Sequence, residues 1–215
     1  MQYWVLFSGK TSFYYHFFAI FADMNNHQPH IERHPWPPYI PSGARYLFLG
    51  TFPPKEERWS MPFFYPNKIN DFWRVMGLIF HQDKDYFWNN DARCFDLPAI
   101  KAMLDREGIA LWDTAMAVRR LKDNASDKFL EIVEPIDLEA LLDQHPSIAT
   151  VITTGEKASG VIAAQAGIDV PAIGVPVAVQ VGCHHIIFWR MPSTSRAYPL
   201  PLEKKAAAYS KLFGK

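Results

Sequence analysis

The strongest constraint on this chain is a rhythm that begins at Tyr46, where short apolar runs alternate with stretches of helical spacing. The runs are Tyr46–Gly50, Gly108–Trp112, Ala149–Thr153 and His185–Trp189, with one or two shorter ones between Ile173 and Val181. Four or five apolar residues closed by a glycine or polar residue mark a strand buried on both faces. Between the runs, Ile69, Phe72, Trp73, Met76, Ile79 and Phe80 fall on one helical face, with Asn67 placed as a cap. Leu97–Arg106, Leu138–Leu142, Lys157–Ala166 and the set Leu202, Ala206, Tyr209, Phe213 repeat the helical pattern. Such alternation predicts an α/β domain, a mostly parallel central sheet with helices on both faces. No segment repeats.

The domain is expected to span residues 43–215. Residues 24–42 are polar and carry Pro29, Pro35, Pro37, Pro38 and Pro41, which predicts an extended lead-in on the surface. His27, His30 and His34 would share a helical face, but Pro29 and Pro35 oppose that helix, so the three read as solvated. Residues 1–23 read as an apolar extension or a misread start, since Met24 opens the polar stretch. Ser8–Ser12 splits that extension into halves far short of the roughly 20 residues a bilayer span needs. Gly9-Lys10-Thr11 mimics the end of a phosphate loop, but Trp4 stands where its first glycine belongs. Cys94 and Cys183 are too few for a disulfide scaffold or a thiolate cluster, and read as reduced thiols of a cytoplasmic protein.

In a parallel sheet, ligands sit beyond the carboxyl ends of the strands. Here those ends are Gly50–Pro54, Asp113-Thr114, Thr154-Gly155 and Met191–Arg196, and the unusual chemistry collects in them. Aromatics make up 15% of the chain, leaving rings for a flat ligand after the core is filled. Lys plus Arg and Asp plus Glu both total 22, so bulk charge selects no partner and nucleic acid would need a local patch. Two basic clusters qualify: Arg119, Arg120, Lys122 and Lys128, and then Arg190, Arg196, Lys204, Lys205, Lys211 and Lys215. The acidic run Glu131, Glu134, Asp137, Glu139 and Asp143 is expected on another side.

Two of the strand-end loops carry a family resemblance. Leu47-Phe-Leu-Gly-Thr-Phe-Pro-Pro54, Met61-Pro-Phe-Phe-Tyr-Pro66 and Asn70-Asp-Phe-Trp73 together resemble the first motif region of the uracil-DNA glycosylase superfamily, in particular its mismatch-specific and hypoxanthine-specific branches. Met191-Pro-Ser-Thr-Ser-Arg196 resembles the second motif, the loop that enters the duplex, and Gly108–Asp113 the strand between them. The similarity runs in order from Tyr46 to Phe213. It implies a three-layer α/β/α sandwich and a monofunctional base-excision-repair hydrolase cutting the N-glycosidic bond of a deaminated or mismatched base, hypoxanthine favoured and uracil possible.

The resemblance also implies roles for residues. Gly50, Thr51, Phe52 and Phe63 would bind the base, with Phe63 as the stacking ring, since a flipped base needs a flat wall. Asn70 would be catalytic or read the base edge, because one amide both donates and accepts; Asn67 is its alternative. Asp113 would hold a water, stabilise sugar charge or cap a helix after it. Pro192, Ser193, Thr194, Ser195 and Arg196 would bind DNA, with Arg196 as a phosphate contact or a wedge. One departure matters: uracil-removing branches carry Asn or Asp, which positions the attacking water, where this chain has Phe52. A phenyl ring cannot do that. No metal or organic cofactor is implied, and the expected partner is double- or single-stranded DNA carrying a damaged base, bound by a monomer at the nucleoid and not at a membrane. Two other readings remain: a nucleotide-binding protein of flavodoxin-like fold, disfavoured because no glycine-rich cradle follows a strand, and a non-catalytic DNA-lesion binding module.

Overall fold

The computed structural model describes residues 30–122 and 127–215; the extension and most of the lead-in before His30 lie outside them. Its centre is a five-stranded sheet of β2 (Tyr46–Gly50), β5 (Ile109–Asp113), β8 (Thr150–Thr153), β9 (Pro176–Val181) and β10 (His184–Arg190). The order is β5-β2-β8-β10-β9, parallel except for β9, which runs antiparallel to β10 at the edge. Every residue of β5 is buried, as is all of β2 except Tyr46, which explains their unbroken apolar runs.

Five α-helices among the described residues complete a three-layer α/β/α sandwich: α1 (Phe72–His81), α2 (Leu97–Glu107), α3 (Leu138–Gln144), α4 (Glu156–Gln165) and α5 (Leu202–Ser210). Phe48 of β2 meets Phe72 of α1, Tyr209 of α5 and Phe213 just beyond it, so those elements share one face of the sheet. Gln165 of α4 accepts from Leu138 N and donates to Ile136 O, joining α3 to α4.

α1 begins at Phe72, not at Ile69. Two asparagines turn the chain first: Asn67 Oδ1 accepts from Ile69 N and Asn70 Oδ1 from Phe72 N, leaving Ile69 half exposed. The periodicity also missed a second, antiparallel sheet of β1 (Ile31–Arg33), β6 (Ala115–Arg120) and β7 (Leu130–Pro135), ordered β1-β6-β7, and a small hairpin of β3 (Trp88–Asn89) and β4 (Cys94–Phe95).

That second sheet corrects the charge map. Glu131 and Glu134 do not lie apart from the basic cluster; they sit on β7, where Glu131 pairs with Arg119 and Glu134 with Arg33. Arg120 grips both oxygens of Glu32 and donates to Pro53 O. Residues 30–42 of the lead-in alternate between exposed and partly buried, pair through β1 and bridge Tyr39 to Leu111. His34, read as solvated, has a side chain only 3% exposed.

Candidate active site

The chain passes from β2 outward to β5, then returns to β8 on the other side of β2. That reversal opens a crevice at the carboxyl ends of the strands, where open α/β sheets bind ligands. The crevice here is a cleft of about 1080 Å³. It is lined by Gly50, Thr51 and Phe52 after β2, Asp113 at the end of β5, Thr154 after β8, and Ser193 to Arg196 after β10. Asn70, at the turn into α1, lines it too.

The sequence-expected residues divide clearly. Gly50, Thr51, Phe52, Asn70, Asp113, Ser193, Thr194, Ser195 and Arg196 converge on the cleft. Phe63 does not. Its ring is 6% exposed and packs in the core against Tyr39, Phe64 and Trp73. The aromatics lining the cleft are Phe52, Tyr65 and Tyr198; Tyr65, two residues on from Phe63, is stacked on Phe72 at 3.8 Å with its hydroxyl 3.0 Å from Thr154 Oγ1. Tyr65 holds a left-handed φ of 50°, uncommon for a side chain of that size and found where surroundings over-determine the backbone. Pro192 is also outside the cleft lining, buried, with its carbonyl accepting from Tyr209 OH. Asn67 lines the cleft, so it stays an alternative to Asn70.

Asp113 forms the buried floor. Gly50 makes room for it, since a Cβ there would collide with Asp113 Oδ1, and Gly50 N–H donates to its carboxylate. The expected helix-cap role is absent, because β6 follows at once. Instead Asp113 Oδ2 lies 2.9 Å from His34 Nε2. Burial pushes the Asp113 carboxyl above the usual range, while the His34 hydrogen bond and charge and the Gly50 amide pull it back. A second carboxylate, Asp127, sits in the turn before β7 and accepts from Thr51 Oγ1 at 2.7 Å. Burial pushes it up as well; the Thr51 hydroxyl opposes that and the Asp113 charge adds to it. Sequence reading missed His34, Tyr65 and Asp127. Tyr65 lay inside the recognised run, whereas nothing in the spacing tied His34 or Asp127 to a strand end.

The loop after β10 is fastened from below. Lys205, counted with the basic patch, is fully buried and donates to Asp71 Oδ2 and Ser195 O, each at 2.9 Å. Asp71 N donates to Thr194 O, and Arg196, 60% exposed, reaches Asp71 Oδ1 at 3.4 Å. Arg58, Arg190 and Lys157 bring positive charge to the cleft lining. For metal chemistry, Asp143, Cys183 and His184 are a set among the described residues whose donor atoms lie within 4.8 Å of one another. They stand at the amino-terminal end of β10, at the edge of the sheet opposite the cleft. Neither His184 nor His185 enters the core; His184 is half-buried against Asp143 and His185 exposed. Both cysteines are free thiols.

No protein-family model matches the chain, and no curated protein matches its sequence. Among solved structures it is similar to the solution NMR structure of a "putative Uracil DNA glycosylase" from Methanosarcina acetivorans. The TM-score is 0.56 at 20% identity, covering 86% of this chain and all of the other. The chain shares that fold. Among the described residues, no helix is long and apolar enough to cross a membrane.

Proposed function

We propose that this chain is a monofunctional DNA glycosylase that draws a deaminated or mismatched base, hypoxanthine first and uracil second, out of the stack and hydrolyses its N-glycosidic bond in base excision repair. The observation that carries the reading is convergence: Gly50–Phe52, Asn70, Asp113 and the loop from Ser193 to Arg196 open into one cleft, on a fold shared with the "putative Uracil DNA glycosylase". Its volume suits a base with its sugar and flanking phosphates.

Tyr65 takes the stacking role first given to Phe63. Asn70 reads the base edge: its oxygen is held by Phe72 N but keeps a second lone pair, and its amide nitrogen donates. Hypoxanthine offers an acceptor at O6 and a donor at N1, which one fixed amide can meet; adenine reverses both and is refused. Arg196 at the exposed end of the loop fills the vacated stack or holds a phosphate, and cations along the cleft draw in the backbone. DNA is the partner, the protein acts as a monomer, and its place is the cytoplasm at the nucleoid. A second reading is a lesion-binding module without catalysis, favoured by one observation, Phe52 in place of a water-positioning amide or carboxylate.

Duplexes carrying a single inosine, uracil or G/T mismatch, incubated with the full chain and then cleaved at abasic sites by alkali, test the proposal. Inosine strands should be cut fastest, uracil strands more slowly, and Asn70→Ala should lose most of the activity while keeping its melting temperature. Tight binding with no abasic site from any duplex would establish the binding module instead.

A further inference from the structure

His34 is a buried titratable group that the proposed chemistry leaves unused. The segment before the first central strand carries it inward, and its imidazole is walled by Trp112 at 4.4 Å, Phe52 at 5.6 Å, Trp36 at 5.8 Å and Phe64 at 5.9 Å. Both ring nitrogens are engaged. Nε2 lies 2.9 Å from Asp113 Oδ2; Nδ1 lies 2.9 Å from Trp36 O, and Trp36 N–H points at the same Nδ1 from 3.3 Å.

A carbonyl oxygen only accepts and a backbone N–H only donates, so the two Nδ1 contacts exclude each other; the shorter, to Trp36 O, points to a hydrogen on Nδ1. The Nε2–Oδ2 contact then requires a second hydrogen, on either atom. The pair therefore holds one proton more than a neutral imidazole beside a carboxylate, and its total charge is zero, the condition a buried ionisable pair tolerates best. Of the two, Asp113 lines the cleft and His34 is sealed behind it.

We propose that His34 and Asp113 form a proton-holding dyad that serves as the general acid for departure of a purine base, Asp113 delivering the proton to N7 and His34 positioning and resupplying it. The inference rests on the reading of the cleft as a base-excision site. The bond between sugar C1′ and base N9 breaks and its electron pair goes to the base. The dyad proton joins N7, the most basic ring nitrogen of a purine. A water oxygen bonds to C1′, and the proton that water loses passes to the Asp127 carboxylate, so one proton leaves the dyad as another enters the site. Two carboxylates with separate acid and base duties are the familiar solution for glycosidic bonds. A pyrimidine has no N7, so the device adds most for a deaminated purine.

The other groups facing the pair are compatible with it. Tyr65 hydroxyl is pushed above its usual range, by burial first and then by the charges of Asp113 and Asp127, so it stays neutral and does not compete as a base. Burial first, and then the Asp113 charge, raise Asp127, which makes its carboxylate the readier acceptor of the water proton; the Thr51 hydroxyl, Lys157 and Arg120 oppose that rise. Burial, the largest influence on Asp113, raises it and favours a proton there, while the His34 hydrogen bond and charge and the Gly50 amide act the other way.

Two measurements on the full chain test the dyad. Nitrogen-15 NMR of the wild-type imidazole should show hydrogen on both His34 nitrogens, or on Nδ1 with a shared hydrogen at Nε2. A ring protonated at Nε2 alone overturns the dyad whether or not the protein excises bases. In single-turnover kinetics, His34→Gln, which can still bond Asp113 but cannot resupply its proton, should slow inosine excision about 100-fold. On 7-deazainosine, which offers no N7, wild type and His34→Gln should be equally slow. Wild-type rates on inosine in the variant would overturn the dyad while the glycosylase reading stands; no release of any base by the wild type would overturn both.

Discussion

Asp127 is a carboxylate whose surroundings disfavour its charge, and that has a measurable sign. Its folded-state pKa is raised, chiefly by burial, above the value in an unfolded chain. As pH climbs through the ordinary aspartate range, the unfolded chain ionises first and the folded state loses stability until Asp127 ionises in it too. Asp127→Asn keeps an oxygen for the Thr51 hydroxyl and removes that loss. Its melting temperature relative to wild type should therefore rise as pH climbs from about 4, where the unfolded aspartate ionises, by calorimetry; a flat difference would contradict the burial argument. The same scale shows why Phe63 and Tyr65 were exchanged. Both are aromatic members of one run, and which ring meets the cleft depends on the left-handed turn at Tyr65, a conformation that residue types alone do not announce just before a proline.

The elements that were legible were those whose apolar period is set by burial on one face or two: β2, β5, β8, β10 and all five helices. Among those missed, β1, β6 and β7 carry Glu32, Arg33, Arg119, Arg120, Glu131 and Glu134, whose charges satisfy each other across strands and so erase the alternation that marks a strand. For the same reason Lys205 looked like part of a DNA-facing patch, though it is a buried tie between α5, α1 and the loop after β10. Removing one partner of a buried ion pair is costly because the other is left without compensation. Lys205→Met should destabilise the domain by about 3–5 kcal/mol in denaturant unfolding. Adding Asp71→Asn should recover part of it, with a coupling above about 1 kcal/mol. Additive losses would show that Lys205 fastens the loop through Ser195 O alone.

At the scale of the molecule, the sheet order made the site legible before any side chain was placed: every loop singled out follows a parallel strand, and parallel strands end on one edge. The floor was not legible, because His34 reaches it from a segment that proline content marked as surface, and Asp127 from a turn between strands that the pattern hid. The central claim is that this edge receives a base taken out of DNA. A crystal structure of Asn70→Ala bound to a duplex with one inosine reads it directly. The account predicts the hypoxanthine ring extrahelical, inside the cleft against Tyr65 and above Asp113, with the loop from Ser193 to Arg196 at the gap in the duplex. A base still paired in the stack, or DNA lying on a different face of the protein, would contradict it.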